Sequence, residues 1–182
     1  MNGIVVVDKP AGPTSFDVVA QLRRIFKTRE IGHCGTLDPL ATGVLVVAVG
    51  SYTRLVRVLT ADDKRYRATI AFGTSTSTDD REGDVVARAD DHDVAALSQE
   101  RILAALLPFV GAIAQVPPAF SAIHVDGKRA HERARAGELV KMKPRDVVVH
   151  ALNLVSMERT ESEALAVVDV HCGKGTYVRS LA

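Results

Sequence analysis

The chain has 182 residues, 47% hydrophobic and 25% charged, with 13 Gly and 7 Pro; this globular composition excludes disordered, collagen-like and low-complexity readings and suggests one domain. The longest apolar run, residues 44–49, falls far short of the about 20 residues that cross a bilayer, and the run at residues 4–7 is too short for a signal-peptide core, so a cytoplasmic protein without membrane contact is expected. A net charge of +1 neither demands nor excludes a nucleic-acid partner, and two cysteines, Cys34 and Cys172, make no disulfide framework and are expected as reduced thiols.

Residues 4–7 form a short β-branched run that reads as a buried strand, ended by Asp8-Lys9-Pro10-Ala11-Gly12-Pro13, a loop dense in breakers. Thr14 or Ser15 can cap a helix in which Val18, Val19, Leu22, Ile25 and Phe26 recur at helical spacing. A loop over 32–43 then leads into the apolar strand 44–49 and a helix-like stretch over 52–59. In 64–72, Tyr66, Ala68, Ile70 and Phe72 alternate with Arg65, Arg67, Thr69 and Ala71, which predicts a half-buried strand.

Residues 73–84 lack a period and read as a surface loop, and 98–107 as a helix stopped by Pro108. Short strands over 112–116 and 120–125 flank Pro117-Pro118, followed by the turn pair Asp126-Gly127. A short basic helix over 129–136 has Gly137 as its stop. Strands over 147–157 and 165–172 form a long hairpin, and Gly173-Lys174-Gly175 leads into a helix at Thr176. Hairpins mixed with helices make the class α+β, around a mixed, largely antiparallel sheet.

Charge is unevenly spread. Residues 128–145 hold seven basic side chains against Glu132 and Glu138, whereas 79–93 hold seven acidic ones against Arg81 and Arg88. Such runs are commonly no more than solvated faces.

Gly32-His33-Cys34-Gly35-Thr36-Leu37-Asp38-Pro39-Leu40-Ala41-Thr42-Gly43 is the densest cluster of special residues. Pro39 pushes Asp38 out of the helical region, so Asp38 either accepts N–H bonds from its own turn or is displayed as a nucleophile or base. His33 and Cys34, as extended neighbours, point to opposite faces and make no nucleophile–base pair. Adding His171-Cys172 yields no chelating spacing, so no metal is expected, and Cys172 reads as a small core residue. Gly173-Lys174-Gly175-Thr176 lacks the Walker glycine and reads as a turn whose N–H groups could meet a phosphate, with Arg179 one turn beyond.

These segments resemble the TruB family of RNA pseudouridine synthases. The stretch 32–43 is similar to the family's signature around its catalytic aspartate. Residues 8–15 resemble the first motif, Lys64-Arg65-Tyr66-Arg67 the strand with the active-site tyrosine, and Lys174-Gly175-Thr176-Tyr177-Val178-Arg179 the motif with the active-site arginine. Residues 115–135, from Gln115-Val116-Pro117-Pro118 onward, resemble an RNA-gripping thumb. His124, His131 and Cys34 depart from the family's commoner residues.

The resemblance implies a pseudouridine-synthase catalytic domain over 1–182, with its thumb at about 115–145. It implies a domain incomplete at its C-terminus and without a PUA domain, because family members continue past the last motif. It further implies isomerisation of uridine in RNA, at position 55 in the T-loop of tRNA, by a monomer with no cofactor and no metal. Asp38, Tyr66 and Arg179 would be catalytic: Asp38 as nucleophile or essential carboxylate, Arg179 as the fork that holds it, and Tyr66 as the face that stacks the flipped base. His33, Tyr177, Lys128, Arg129, Arg133 and Lys141 would contact RNA, while Lys9, Pro10, Gly35 and Thr36 would support the loop. Two rivals are a guide-RNA-dependent, Cbf5/dyskerin-like synthase and a non-catalytic RNA-binding or tRNA-folding module. The residues Asp38-Pro39-Leu40-Ala41-Thr42-Gly43 resemble the stand-alone bacterial form rather than the guided one.

Overall fold

The computed structural model describes residues 1–160 and 163–182, which divide into two units, Met1–Asp62 and Asp63–Ala182. The first unit contains β1 (Gly3–Lys9), α1 (Ser15–Phe26), β2 (Ile31–His33), β3 (Gly43–Val49), a 3₁₀ turn (Gly50–Leu55) and α2 (Val56–Leu59). Its sheet has the order β1-β3-β2 and both pairings are antiparallel, with Val5 opposite Val47 and Lys9 opposite Gly43. The core is formed by Val18, Val19 and Leu22 of α1 against Ile31, Leu45, Val47 and Val49.

Two expectations change here. β1 is buried on one face only: Val5 and Val7 pack on the core while Ile4 and Val6 are exposed, because an antiparallel sheet can leave one side to solvent. Ile25 lies at the edge of the α1 stripe and is likewise exposed. Thr14 caps α1 through a reciprocal box, accepting from the Asp17 N–H while Asp17 Oδ2 accepts from the Thr14 N–H at 2.9 Å. The hydroxyl and N–H of Thr14 hold the Asp17 carboxyl below its usual range.

The second unit runs β4 (Lys64–Phe72), β5 (Thr74–Thr76), β6 (Val85–Arg88), α3 (Asp91–Ala95), α4 (Gln99–Leu106), a 3₁₀ turn (Leu107–Phe109), β7 (Gly111–Gln115), β8 (His124–Val125), β9 (Lys128–Arg129), α5 (Ala130–Arg135), β10 (Arg145–Arg159), β11 (Ala164–Cys172) and a 3₁₀ turn (Val178–Leu181). Its main sheet has the order β4-β11-β10-β7. β11 shows the clearest alternation: Ala164, Ala166, Val168, Val170 and Cys172 are all buried, and Ile102 and Leu106 of α4 join the same core. Burial pushes the Cys172 thiol up, so it stays protonated as the core residue its strand position suggests.

All strand pairings among the described residues are antiparallel, in line with the largely antiparallel sheet expected. Part of the expected 73–84 loop pairs as β5 with β6, a hairpin too exposed to leave an apolar alternation in the sequence. The strand expected over 120–125 is confined to His124–Val125, and the helix expected at Thr176 is a 3₁₀ turn from Val178. No helix among the described residues is long and apolar enough to cross a membrane.

Candidate active site

Strand parity decides the environment of Asp38. Lys9 shares the inward side of β1 with Val5 and Val7 and is completely buried. An ammonium in that position must use all of its donors. Lys9 Nζ donates to the carbonyls of Pro10 (2.9 Å), Pro13 (2.8 Å) and Pro39 (3.1 Å), binding the breaker-rich turn after β1 to the residue that follows Asp38. The Gly12 N–H donates to the same Pro39 carbonyl at 2.8 Å.

On the other side of Asp38, Ser15 takes hold of both backbone groups of Leu37. Its buried Oγ accepts from the Leu37 N–H at 2.9 Å and donates to the Leu37 carbonyl at 3.2 Å. Thr14 does the capping, which leaves Ser15 for this task. The Asp38 carbonyl accepts from the Ala41 N–H at 3.0 Å, closing a turn. The backbone on both flanks of the half-buried Asp38 is thus fixed by groups far away in sequence. His33, at the end of β2, is half-buried. Gly35 carries no crowding, and Thr36 is exposed.

In the second unit Tyr66 lies on the inward side of β4, opposite Val170, and packs on the core while half-exposed. Arg179 is only 14% exposed and its guanidinium is fixed by backbone: NH1 donates to the Thr78 carbonyl at 2.8 Å and NH2 to the Phe120 carbonyl at 3.1 Å. Asp80 Oδ2 lies 3.4 Å from NH1. The Asp80 turn is itself tightly built, its Oδ1 accepting from Thr78 Oγ1 at 2.6 Å and from the Glu82 N–H at 3.0 Å. A Cβ at Gly83 would come within 2.7 Å of the Thr78 nitrogen, so that turn requires glycine. Asp80 therefore departs from the solvated acidic face expected over 79–93; a count of charges cannot register this inward hydrogen bonding.

Tyr177 is held as Leu37 is. Gln115, the last residue of β7 and on the same side as Ile113, is buried; its Oε1 accepts from the Tyr177 N–H at 2.8 Å and its Nε2 donates to the Tyr177 carbonyl at 2.9 Å. An open concavity beside this segment is lined by Val116, Pro117, Val140, Met142, Arg179 and Ser180.

The basic segment forms a minimal hairpin and a short helix. Asp126 and Gly127, both at positive φ, make the two-residue turn between β8 and β9. Lys128, Arg129 and Lys141 are exposed. Arg133 is turned inward to its own segment, with Nε 2.6 Å from Glu138 Oε2 and NH1 3.0 Å from Asp126 Oδ2. His131 anchors the start of the helix: its N–H donates to the Ser121 carbonyl, and its Nδ1 lies 2.9 Å from the same oxygen.

Ser15, Gln115 and Asp80 escape sequence reasoning. The readable trace is a polar residue at an inward strand position, true of Lys9 and Gln115, and a second hydroxyl beside a cap, true of Ser15.

Residues 23–178 match the TruB family pseudouridylate synthase N-terminal domain. Over its full length the chain is 52% identical to a tRNA pseudouridine synthase B of Corynebacterium efficiens and 51% identical to that of Thermobifida fusca. It spans 60% and 62% of those relatives, about three fifths of their length. It also resembles a chain in the crystal structure of a Cbf5-Nop10-Gar1 complex, with a TM-score of 0.67 and 30% identity over 98% of this chain and 42% of the other. A chain in an H/ACA ribonucleoprotein bound to a substrate RNA containing 2'-deoxyuridine matches with a TM-score of 0.65 and 26% identity, covering 98% of this chain and 40% of that one. With the signature loop, its clamped aspartate and a family match over most of its residues, the chain belongs to the TruB family of pseudouridylate synthases.

Proposed function

We propose that the chain carries the catalytic apparatus that isomerises uridine to pseudouridine at position 55 in the T-loop of tRNA. The observation that carries this reading is Asp38, a carboxylate in the family's signature loop whose flanking residues are clamped by Lys9 and Ser15. The reaction breaks N1–C1′, turns the uracil over and forms C5–C1′; C5 loses its proton and N1, which carried none, gains one, so no atom is gained or lost overall. A carboxylate can serve by attacking the sugar or the base, or by stabilising the cationic sugar. Rigid placement is what such a group needs most, since an ordinary carboxyl is already ionised at neutral pH.

In this reading Tyr66 offers a flat face for the flipped uracil, and Arg179 supplies a guanidinium whose plane is already set by two carbonyls. His33 and Tyr177 contact the RNA loop. Lys128, Arg129 and Lys141 meet phosphates, and Arg133 keeps the thumb's hairpin and helix together. The enzyme works as a cytoplasmic monomer without cofactor. The two curated relatives described above, each named tRNA pseudouridine synthase B, favour this reading over the guided one.

The test is release of tritium from C5-labelled uridine in a T-arm transcript. Wild-type chain should release it, and Asp38→Asn should abolish release while RNA affinity and thermal stability stay unchanged. Retention of more than a few per cent of turnover in Asp38→Asn would remove Asp38 from its role. RNA binding without any release by the wild type would make the chain a non-catalytic binding module.

A further inference from the structure

The second unit contains a cluster that isomerisation does not use. Asp63, immediately before β4, His150 on β10 and His171 on β11 converge on the outward side of the four-stranded sheet. His150 Nε2 lies 3.1 Å and His171 Nε2 3.6 Å from the same Asp63 Oδ2. The two imidazole centroids are 4.8 Å apart with the rings inclined at 44°. One ligand atom from each of the three residues lies within 4.8 Å of the others.

Sheet register explains the convergence. Val149 pairs with Cys172 and Ala151 with His171, so His150 is an extra residue on β10, a bulge that opposes two residues to one. Val149 and Cys172 are fully buried, which puts His150 and His171, each one residue away, on the outer side. Lys64 pairs with Cys172, so Asp63 precedes it with the parity of Arg65, the residue opposite His171. Three ligands from residues 63, 150 and 171 have no chelating spacing in the sequence, so no motif announces them.

We propose that Asp63, His150 and His171 form a binding site for a divalent transition-metal ion of the zinc type. A tetrahedral centre with bonds of about 2.0–2.1 Å needs ligand atoms about 3.3–3.4 Å apart, and the 3.1 and 3.6 Å spacings to Asp63 Oδ2 bracket that value. Two ring nitrogens share one carboxylate oxygen, and only His150 Nε2, at 3.1 Å, is within hydrogen-bond reach of it; His171 Nε2, at 3.6 Å, is not. A shared cation satisfies all three groups, with water in the fourth position. Two imidazoles and one carboxylate favour zinc, copper or nickel over magnesium or calcium, which require oxygen-rich shells. The exposed Arg65 on the same face weakens the site by like-charge repulsion, so affinity is moderate. Bound metal would pin β4, β11 and β10 together.

The test titrates the whole chain with Co²⁺, followed by displacement with Zn²⁺, in wild type and in Asp63→Asn, His150→Gln and His171→Gln. Wild type should take up one Co²⁺ with visible d–d absorption and no thiolate-to-cobalt band, release it to Zn²⁺, and melt at a higher temperature with Zn²⁺. Each variant should bind about tenfold or more weakly and lose the Zn²⁺-dependent rise in Tm. If a histidine variant misfolds by circular dichroism, Asp63→Asn, which lies outside the strands, decides the matter. The proposal is overturned if wild type shows no saturable uptake, if the folded variants bind as it does, or if a thiolate band assigns the metal to Cys34 or Cys172.

Discussion

The loop around Asp38 and the basic segment at 128–145 are both poor in regular structure, yet they are held by opposite means. Around Asp38 the bonds come from buried side chains to backbone across long sequence distances: Lys9 to Pro39, Ser15 to Leu37. In the basic segment the bonds are local, an Arg133 fork to Asp126 and Glu138 and a hairpin of two-residue strands. Buried clamps cost desolvation that only the fold as a whole can offset, and they leave the backbone one arrangement. Exposed local pairs contribute little and let the segment adjust. The proposed function asks for this division: a reacting carboxylate would need the first kind of support, and a surface that follows an RNA backbone would work with the second.

The largest effect should come from breaking the clamp at its cation. Lys9→Met fills the same space but removes the donor from three carbonyls, at about 1–3 kcal/mol for each orphan that water cannot reach. With Pro39 still accepting from Gly12, the net loss is about 2–4 kcal/mol, read by urea unfolding, and turnover should fall further than the unfolded fraction explains. Ser15→Ala should be milder, about 1–2 kcal/mol, because it frees one N–H and one carbonyl of Leu37. Its signature is reduced turnover with unchanged RNA affinity.

Removing the exposed cations of the other region should do the reverse. Lys128, Arg129 and Lys141 changed together to Gln should leave stability within about 0.5 kcal/mol. The slope of log K against log salt should become shallower by roughly 0.7–0.9 for each lost phosphate contact. Neutralising Asp84, Asp90 and Asp91 is the control and should not alter the slope; Asp80 is left intact because it faces Arg179. An unchanged slope in the basic triple variant would return that segment to an ordinary solvated face.

The smallest effect concerns pH. Thr14 holds the Asp17 carboxyl low, and Arg67, bonded to Asp169 at 2.8 Å, does the same for Asp169. A carboxyl whose folded pKa is depressed contributes stability above its unfolded value of about 3.9 and loses it as pH falls through the folded value. Both groups are exposed, so the double variant Asp17→Asn/Asp169→Asn should differ from wild type slightly at pH 5 and not at all at low pH, measured as urea midpoints.

Alternation made β4, β11 and the β10–β11 hairpin legible in the sequence, because one face of each strand meets a core. The α1 stripe was legible for the same reason, except Ile25 at its edge. β5 and β6 were not, since a hairpin exposed on both sides leaves no hydrophobic period. The signature loop stood out by composition, but the meaning of Lys9 lay in its parity: the strand that buries Val5 and Val7 buries an ammonium next. Gln115 repeats the pattern on β7. Ser15 and Asp80 act through contacts 22 and 99 residues away, which no local pattern encodes.

Site-resolved hydrogen exchange tests the contrast most directly. The amides of Leu37 and Gly12, bonded to Ser15 Oγ and the Pro39 carbonyl, should exchange at least about tenfold more slowly than those of Ala130 and His131, bonded to the Ile123 and Ser121 carbonyls. Ser15→Ala should abolish the protection of Leu37 and leave Ala130 and His131 as they were. Exchange of Leu37 as fast as that of the basic segment, or protection that survives Ser15→Ala, would contradict the claim that Asp38 is held by its clamp.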